Sequence, residues 1–345
     1  MSHAHEITIA VVGATGAVGE VALELIAEQW GRRANVHALA SEQSVGCEVS
    51  YGRQSLVVDD LAQFDFKGCD YAIFSAGSEV SKVHAPRAVQ AGTIVIDNTS
   101  YFRQDKNIPL VVPEVNGGVL ADFREGIIAN PNCSTIQMVT ALAPIHRAYG
   151  IDSIVVATYQ SVSGAGKAAM EELGRQAMGR FNFQEPTPSV FKQPIGFNVI
   201  PLIDELEDNG FSKEEMKMVN ETRRLFDDET ISIHATAVRV PVFTGHAEAV
   251  FVQTHRPIEW PGVKALIAQA DGVCLCPDDE MATPLTHAVD QDPVWVSRVR
   301  PALGQDKAMH LWVVADNLRK GAALNAVQIL ALLVDARLAS DATLH

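Results

Sequence analysis

The sequence predicts an α/β fold with two domains, the first built on a parallel sheet that helices cover on both faces. Near-continuous apolar segments alternate with helical patterns from Ile7 to Ala129, and strands buried on both faces read as such continuous apolar runs. A glycine-rich turn joins the first apolar segment to the first helical pattern, and the composition shifts after Tyr149. At 345 residues the chain is also too long for one ordinary core.

The charge balance excludes some partners. The chain has 27 Lys and Arg against 42 Asp and Glu, a formal net charge of −15, which argues against nucleic acid or an anionic membrane as a general partner. An anionic substrate must therefore meet individual Arg and Lys side chains. No run of 18 or more apolar residues indicates a membrane span.

The cysteines are odd in number and irregularly spaced: Cys47, Cys69, Cys133, Cys274 and Cys276. The last two would share one face of a strand, but no His or second Cys pair nearby completes a metal site. No apolar leader precedes the first strand pattern. We expect a cytoplasmic protein with reduced thiols and no bound metal.

The first strand, Ile7–Val12, runs into a turn with glycines at 13, 16 and 19, and a helical pattern continues to Glu28. Glycines between a buried strand and a helix let the backbone approach a pyrophosphate at the helix N-terminus. The spacing in this strand-turn-helix context predicts a dinucleotide site.

The end of the second strand, Val36–Ala40, bears on the choice of cofactor. Ser41 and Ser44 suit a ribose 2′-phosphate, whereas Glu42 does not unless it points to solvent. The sequence therefore favours NADP over NAD.

Further strands are expected at Asp70–Ser75, Thr93–Asp97 and Leu110–Val112, with a helix at Glu79–Gln90. Arg103 follows the second of these strands at the edge where parallel sheets bind ligands. It is a candidate for a local basic cluster; the alternative is a surface arginine.

Cys133 follows the apolar run Gly126–Ala129 and a Pro-containing turn, and precedes a helical pattern from Ile136 to Tyr149. This order places it in the first turn of a helix, where unpaired N–H groups and the macrodipole favour a thiolate. It is either a nucleophile or a small buried hydrophobe.

The second half alternates strands and helices. Its predicted strands are 153–161, 231–242, 248–255, 294–296 and 309–314. Its predicted helices are 167–180, 212–225 and a closing helix that follows residues 316–321 and ends at about residue 338. Glu214 and Lys217 share one helix face, where a solvated ion pair is the usual interpretation. Arg239 lies among apolar residues and needs an anion, either a substrate carboxylate or a protein carboxylate. A turn between two paired strands would bring Arg239 and His246 to one cavity.

Eight stretches, in order, are similar to the aspartate-semialdehyde dehydrogenase family: VVGATGAVGE, VIDNTSYFR, PLVVPEVN, NPNCSTIQ, TYQSVSGAG, EEMKMVNET, VRVPVFTGHAEAV and ADNLRKGAALNAVQ. The resemblance covers nearly the whole chain. It implies a Rossmann-type NADP-binding domain at 1–132, completed by the C-terminal helix 317–345. It also implies a second α/β domain at 133–316, whose mixed sheet serves catalysis and dimerisation in a homodimer.

The resemblance also implies roles for individual residues. Cys133 matches the nucleophile, Gln160 the amide that orients the substrate, and His246 the acid/base. The residues that match substrate and phosphate contacts are Arg103, Asn132, Glu214, Lys217 and Arg239, of which Arg239 holds the substrate carboxylate and Glu214 its amine. Those that match cofactor contacts are Gly13, Thr15, Gly16, Ala17, Val18, Ser41, Ser44, Gly77, Ser163, Gly164 and Asn317.

The implied reaction interconverts aspartate semialdehyde plus inorganic phosphate with aspartyl phosphate through a cysteine thioester, in the biosynthesis of lysine, threonine and methionine. Two positions depart from the family, because Gln43 and Cys47 stand where Arg and Lys are usual. The alternative is a dimeric nucleotide-binding paralogue with a different substrate or no catalytic role. N-acetyl-glutamyl-phosphate reductase is a third possibility, but the stretch Asn132–Gln137 fits the aspartyl enzymes better.

Overall fold

The computed structural model describes residues 7–260 and 262–342, apart from the side chains of residues 340–342. The ends of the expected first domain and closing helix, 1–6 and 343–345, lie outside the described residues. The chain divides into two compact units: residues 1–131 with 322–345, and residues 132–321. Asn132 and residues 317–321 thus belong to the second unit.

The structure contains thirteen described strands and eight described α-helices. The strands are β1 (Ile7–Val12), β2 (Ala34–Ala40), β3 (Glu48–Tyr51), β4 (Gln54–Asp60), β5 (Tyr71–Phe74), β6 (Ile94–Asp97), β7 (Ile127–Ala129), β8 (Ile151–Gln160), β9 (Ser232–Arg239), β10 (His246–Thr254), β11 (Val273–Leu275), β12 (Val294–Ala302) and β13 (Gln305–Ala315). The helices are α1 (Ala17–Gln29), α2 (Ser78–Gln90), α3 (Pro113–Asn116), α4 (Cys133–Tyr149), α5 (Lys167–Phe181), α6 (Lys213–Phe226), α7 (Gly262–Ala268) and α8 (Leu324–Ala342).

The sheet of the first unit has the order β3-β4-β2-β1-β5-β6-β7. All its neighbours pair in parallel except β3 and β4, which form an antiparallel pair at one edge. The order reverses between β1 and β5, and ligands bind at such switch points in parallel sheets. The Rossmann-type sheet is therefore confirmed.

The closing helix supplies part of the core of this unit. Ala326, Ile329 and Leu330 of α8 are buried in the same apolar cluster as Leu23 and Ile26 of α1. The segment from 319 to 339 is long and apolar enough to cross a membrane by length and composition alone, with a mean hydropathy of 1.5. A buried core helix passes the same test, and 56% of this window is buried.

One predicted strand is wrong. Leu110 makes only an isolated parallel bridge to Ala129, and α3 begins at Pro113. Proline is well placed at the first helical position but cannot donate to a ladder. The apolar run is therefore too short to form a regular strand.

The sheet of the second unit is mixed, with the order β11-β12-β13-β10-β8-β9. The pairs β8–β9 and β11–β12 are parallel, and the other neighbours are antiparallel. The expected pairing of β9 with β10 is wrong, because β8 lies between them. Sequence neighbours usually pair, but here the connection passes over one strand.

The two faces of this sheet differ. On one face, Met138 and Leu142 of α4 pack with Val156 and Val250 in the core of the unit. On the other face, Val155 and Tyr159 are 47% and 39% exposed, and Tyr159 stacks at a tilt on Trp312 with 5.4 Å between ring centroids. The second face thus presents apolar and aromatic groups to the surroundings.

The contact between α1 and the turn after β1 generates a prediction. A Cβ at Gly19 would lie 2.1 Å from the carbonyl oxygen of Gly13, an overlap with backbone that rotamer changes cannot relieve. We expect Gly19→Ala to lower the free energy of unfolding by about 3 kcal/mol. Gly118→Ala is the control, because nothing lies within 4 Å of its added Cβ. Urea unfolding of both variants measures the difference, and equal stabilities would contradict the close approach.

Candidate active site

Three buried polar side chains occupy neighbouring positions across three strands of the second sheet. Gln160 pairs with Arg239 in the parallel register of β8 and β9, and the antiparallel register of β10 with β8 continues to place His246 opposite Gln160. We call these three residues the polar row. All three are buried, so each must find partners inside the protein or in a ligand.

Cys133 is the first residue of α4, as expected. Asn132 caps this helix, and its side-chain oxygen accepts hydrogen bonds from the backbone N–H groups of Ser134 at 3.0 Å and Thr135 at 3.3 Å. The positive end of the helix favours a thiolate at Cys133.

The alternative for Cys133, a small buried hydrophobic residue, describes Cys69 better. Cys69 is buried, and burial together with Asp70 raises the pKa of its thiol to about 11. Cys133 is partly exposed. No disulfide joins any of the five cysteines.

Glu214 links α6 to the cysteine helix and to the polar row. Its Oε1 accepts hydrogen bonds from Asn132 Nδ2 at 2.8 Å and Gln160 Nε2 at 3.2 Å, and its Oε2 pairs with Lys217 Nζ at 3.1 Å. Burial acts to raise the pKa of this carboxyl, but Lys217 and the two amide donors outweigh it and hold the pKa at about 2. The carboxylate is therefore charged at neutral pH.

This environment corrects the expectation of a solvated ion pair. The Glu214 side chain is only 7% exposed and that of Lys217 is 23% exposed. Lys217 also pairs with Asp204 at 3.0 Å. The pair is a largely buried, hydrogen-bonded network.

Arg239 donates from Nη1 to the carbonyl oxygen of Ser161 at 2.7 Å. Within the described part of the chain, no carboxylate forms an ion pair with this guanidinium, which disfavours the protein carboxylate as its anion. Burial lowers the pKa of Arg239, and the negative charges of Glu214 and Cys133 oppose that shift. The guanidinium thus acts electrostatically on the cysteine.

His246 is held by the residue after Gln160. The backbone N–H of Ser161 donates to His246 Nδ1 at 3.1 Å. A backbone N–H can only donate, so Nδ1 accepts and the neutral ring carries its proton on Nε2. Among the described residues Nε2 has no hydrogen-bond partner. Burial, followed by the positive charge of Arg239, lowers the pKa of His246 to about 3, so the ring is neutral at pH 7.

The segment after β8 surrounds this imidazole. Asn317 Oδ1 accepts from the backbone N–H of Gly245 at 2.8 Å and from Ser161 Oγ at 3.0 Å, and its Nδ2 donates to Ser163 Oγ at 2.9 Å. A Cβ at Gly164 would lie 2.9 Å from Arg239 Nη1 and 3.3 Å from His246 Nε2. Ser163, Gly164 and Asn317 therefore lie around His246.

The other expected cofactor residues belong to the first unit, where a cavity of about 630 Å³ opens at the end of β1. Its lining includes Gly13, Thr15, Gly16 and Ser41 but not Ala17, Val18, Ser44 or Gly77. Glu42, Asp60 and His84 also line it. The glycine turn fits a dinucleotide, because a Cβ at Gly13 would lie 2.9 Å from the backbone of Ser75 across the switch point.

Arg103 also lies in the first unit. It is 7% exposed, and its Nη2 donates to the carbonyl oxygen of Asn98 at 2.8 Å. The alternative of a surface arginine is therefore wrong. Among the described residues, no group of three or more His, Cys, Asp or Glu side chains could hold a metal ion.

Sequence reasoning missed Ser161 and Glu221. Glu221 Oε2 accepts the backbone N–H of Asn132 at 2.6 Å. Its position seven residues after Glu214 on α6 was an available signal, because residues i, i+3 and i+7 share one helix face. Ser161 contacts Arg239 through its carbonyl oxygen, and it contacts His246 through its backbone N–H and its hydroxyl at 3.0 Å.

The buried network around Glu214 generates a second prediction. Lys217→Met would leave a buried carboxylate without its cation, and we expect a loss of about 3 kcal/mol in unfolding free energy at pH 7. Lys213→Met removes a lysine of the same helix from an exposed pair with Glu205, and we expect a much smaller loss because water and salt screen that pair.

The pH dependence sharpens this test. The folded-state pKa of Glu214, about 2, is below its ordinary 4.5, so the carboxylate stabilises the fold above pH 4.5 and loses this effect as pH falls toward 2. The stability difference between Lys217→Met and the parent should shrink over that range. Urea unfolding at several pH values measures it, and a gap that is constant with pH would contradict the assignment.

Known proteins resemble this chain over nearly its full length. A family model described as semialdehyde dehydrogenase, NAD binding domain, matches residues 8–123, and one described as semialdehyde dehydrogenase, dimerisation domain, matches residues 142–320. An aspartate-semialdehyde dehydrogenase of Legionella pneumophila is 49% identical over 331 residues, covering 95% of each chain.

A relative and a solved structure from Vibrio cholerae agree. Aspartate-semialdehyde dehydrogenase 2 is 50% identical over 330 residues, covering 95% of this chain and 98% of the relative. The crystal structure of aspartate semialdehyde dehydrogenase II complexed with ASA matches with a TM-score of 0.93 and 49% identity, covering 96% of this chain and 98% of that one. Both family models match in chain order, and these relatives are about 50% identical to this chain. The chain therefore belongs to the aspartate-semialdehyde dehydrogenase family.

Proposed function

We propose that this enzyme interconverts aspartate semialdehyde plus inorganic phosphate with aspartyl phosphate through a thioester on Cys133. The observation that carries the proposal is a cysteine at the positive end of α4, within electrostatic range of a buried guanidinium. The function of the relatives, as their names state it, agrees with this chemistry.

Arg239 and Glu214 are suited to the two charged ends of an amino-acid substrate. A guanidinium holds a carboxylate with two parallel hydrogen bonds, and Arg239 has no ion-paired carboxylate among the described residues. Glu214 is ionised and can attract an ammonium group. Arg103, Asn132 and Lys217 are assigned to phosphate and substrate.

Cys133 begins the reaction as a thiolate, which adds to the aldehyde carbon and places negative charge on the oxygen. His246 is neutral and carries its proton on Nε2, so it donates a hydrogen bond to that oxygen as the acid. When the hydride leaves the adduct carbon and the carbonyl of the thioester forms, the proton on the oxygen returns to Nε2, so the same ring acts as the base. Gln160 orients the bound substrate. The cofactor, when bound, supplies the hydride acceptor.

Phosphate then attacks the thioester carbonyl carbon, and the carbon–sulfur bond breaks. The acyl group passes to a phosphate oxygen, and the electron pair returns to Cys133 as a thiolate. In the biosynthetic direction the same bonds form and break in reverse.

The cofactor we propose is NADP. The first-unit cavity contributes the glycine turn for a pyrophosphate and Ser41 for a 2′-phosphate. Glu42 and Asp60 line the same cavity, and no Lys or Arg is among its lining residues. We therefore propose a preference for NADP over NAD that is smaller than a charge-paired site would give.

We propose that the enzyme is a cytoplasmic homodimer. The dimerisation-domain match and the partly exposed aromatic face of the second sheet, at Tyr159 and Trp312, support association through that face.

Replacement of the nucleophile tests the proposed reaction. Cys133→Ser should abolish phosphate-dependent reduction of NADP by aspartate semialdehyde, because a serine hydroxyl is a far weaker nucleophile. NADP affinity, measured by fluorescence titration, should stay unchanged. Cys274→Ser, on β11, is the matched control and should keep parent activity. A Cys133→Ser enzyme with parent turnover, or a parent indifferent to phosphate, would refute the proposal.

The cofactor preference is tested separately. Gln43→Arg should add a charge partner for the 2′-phosphate and raise the ratio of kcat/KM for NADP to that for NAD by about 10-fold or more. Gln43→Leu is the uncharged control and should leave that ratio near the parent value. The adenosine end would be wrongly assigned if all three enzymes used both cofactors equally well.

A further inference from the structure

A buried carboxyl lies directly below the polar row. Glu248 follows His246 by two positions on β10, so both side chains point to the same face of the sheet. Both are fully buried. Glu248 pairs with Thr158 on β8 and with Val313 on β13, which places it one step from Gln160 and His246.

The cysteine helix faces this carboxyl with an amide. Gln137 follows Cys133 by one turn of α4, so the two residues share a helix face. Gln137 is also fully buried. In the described structure, neither Glu248 oxygen and neither Gln137 amide atom forms a hydrogen bond of regular geometry, although Gln137 lies near enough to act on the carboxyl.

Glu248 is neutral in this environment. An ionised carboxylate without a cation or fixed donors is strongly disfavoured inside a protein. Burial raises the pKa of Glu248 well above its usual range, and Gln137 is the one group that opposes the shift. The groups that face it are Gln137 from α4, Thr158 from β8, Val313 from β13 and neutral His246 from its own strand.

Packing alone does not require a carboxyl group at position 248. Leucine or methionine has a similar volume and would fill the site without desolvating a carboxyl. The neutral acid therefore lowers stability at a position between the helix that carries the nucleophile and the strand that carries the imidazole. Polar groups that cost stability concentrate at functional sites.

We propose that Glu248, as a neutral carboxylic acid, is a positioning residue that couples α4 to β10 through Gln137 and so fixes Cys133 relative to His246. The inference rests on the proposed function, in which those two side chains act on one carbonyl group. A protonated carboxyl can both donate and accept, as an amide can, so it can match Gln137. Glu248→Gln should therefore preserve the contact with Gln137, whereas Glu248→Leu should remove it.

The neutral state is tested by stability. Between the ordinary and the raised pKa, the folded protein keeps a proton that the unfolded chain releases, so rising pH destabilises the fold. Relative to the parent, Glu248→Gln should gain stability from pH 5 to pH 8, by up to about tenfold in the folding equilibrium constant per pH unit. A stability gap that is constant or reversed over this range would show an ionised Glu248 and overturn the proposal.

The positioning role is tested by kinetics and thiol reactivity. Glu248→Gln should keep kcat and its pH profile, and Glu248→Leu should lower kcat by about 10- to 100-fold with KM little changed. The pH profile of Cys133 alkylation by iodoacetamide should shift in the leucine variant alone. A leucine variant with parent kcat and parent alkylation, or a glutamine variant with reduced kcat, would overturn the proposal.

Two further measurements apply if the leucine variant does not fold or if the parent enzyme is inactive. If Glu248→Leu does not fold, Glu248→Leu combined with Gln137→Leu removes both polar partners together, which proteins tolerate better, and it should still lose kcat. If the parent fails to turn over aspartate semialdehyde, the proposed function fails, while the alkylation and stability profiles still decide the role of Glu248.

Discussion

The site of the second unit depends on one buried negative charge. Glu214 holds the helix cap Asn132, the polar-row amide Gln160 and the cation Lys217 with a single carboxylate. These donors keep the pKa of Glu214 at about 2, so the carboxylate stays charged although it is buried. Without it, the cap of the cysteine helix and the end of β8 would lose their common partner.

The positive charge of Arg239 explains how a cysteine and a histidine can work together although the histidine is neutral. Arg239 and the helix N-terminus favour the thiolate, so His246 need not remove a proton from Cys133. Burial and Arg239 keep the imidazole neutral, and Ser161 fixes its tautomer. The positive charge of one side chain thus prepares both the nucleophile and the hydrogen-bond donor.

Much of this arrangement could be predicted from the sequence, for physical reasons. The glycine turn after β1 and the position of Cys133 at the start of α4 depend on local patterns, and the structure confirms both positions. The strand pairing around Arg239 and His246 could not be predicted, because β8 inserts between β9 and β10 from a distant part of the chain. The burial of Lys217 and Arg103 depends likewise on packing that helix and strand periodicity does not contain. The neighbours of Glu248 could not be predicted either, because they depend on the register of the sheet.

Gly321 and Cys133 bring the two ends of the second unit close together. A Cβ at Gly321 would lie 2.9 Å from Cβ of Cys133, so the second unit begins and ends at almost the same point. Its sequence, residues 132–321, interrupts the first unit between β7 and α8. A segment with adjacent termini can be inserted into a host domain without displacing the host's own elements. The second unit therefore has the geometry of an inserted module, and its second residue, Cys133, lies beside the glycine that ends it.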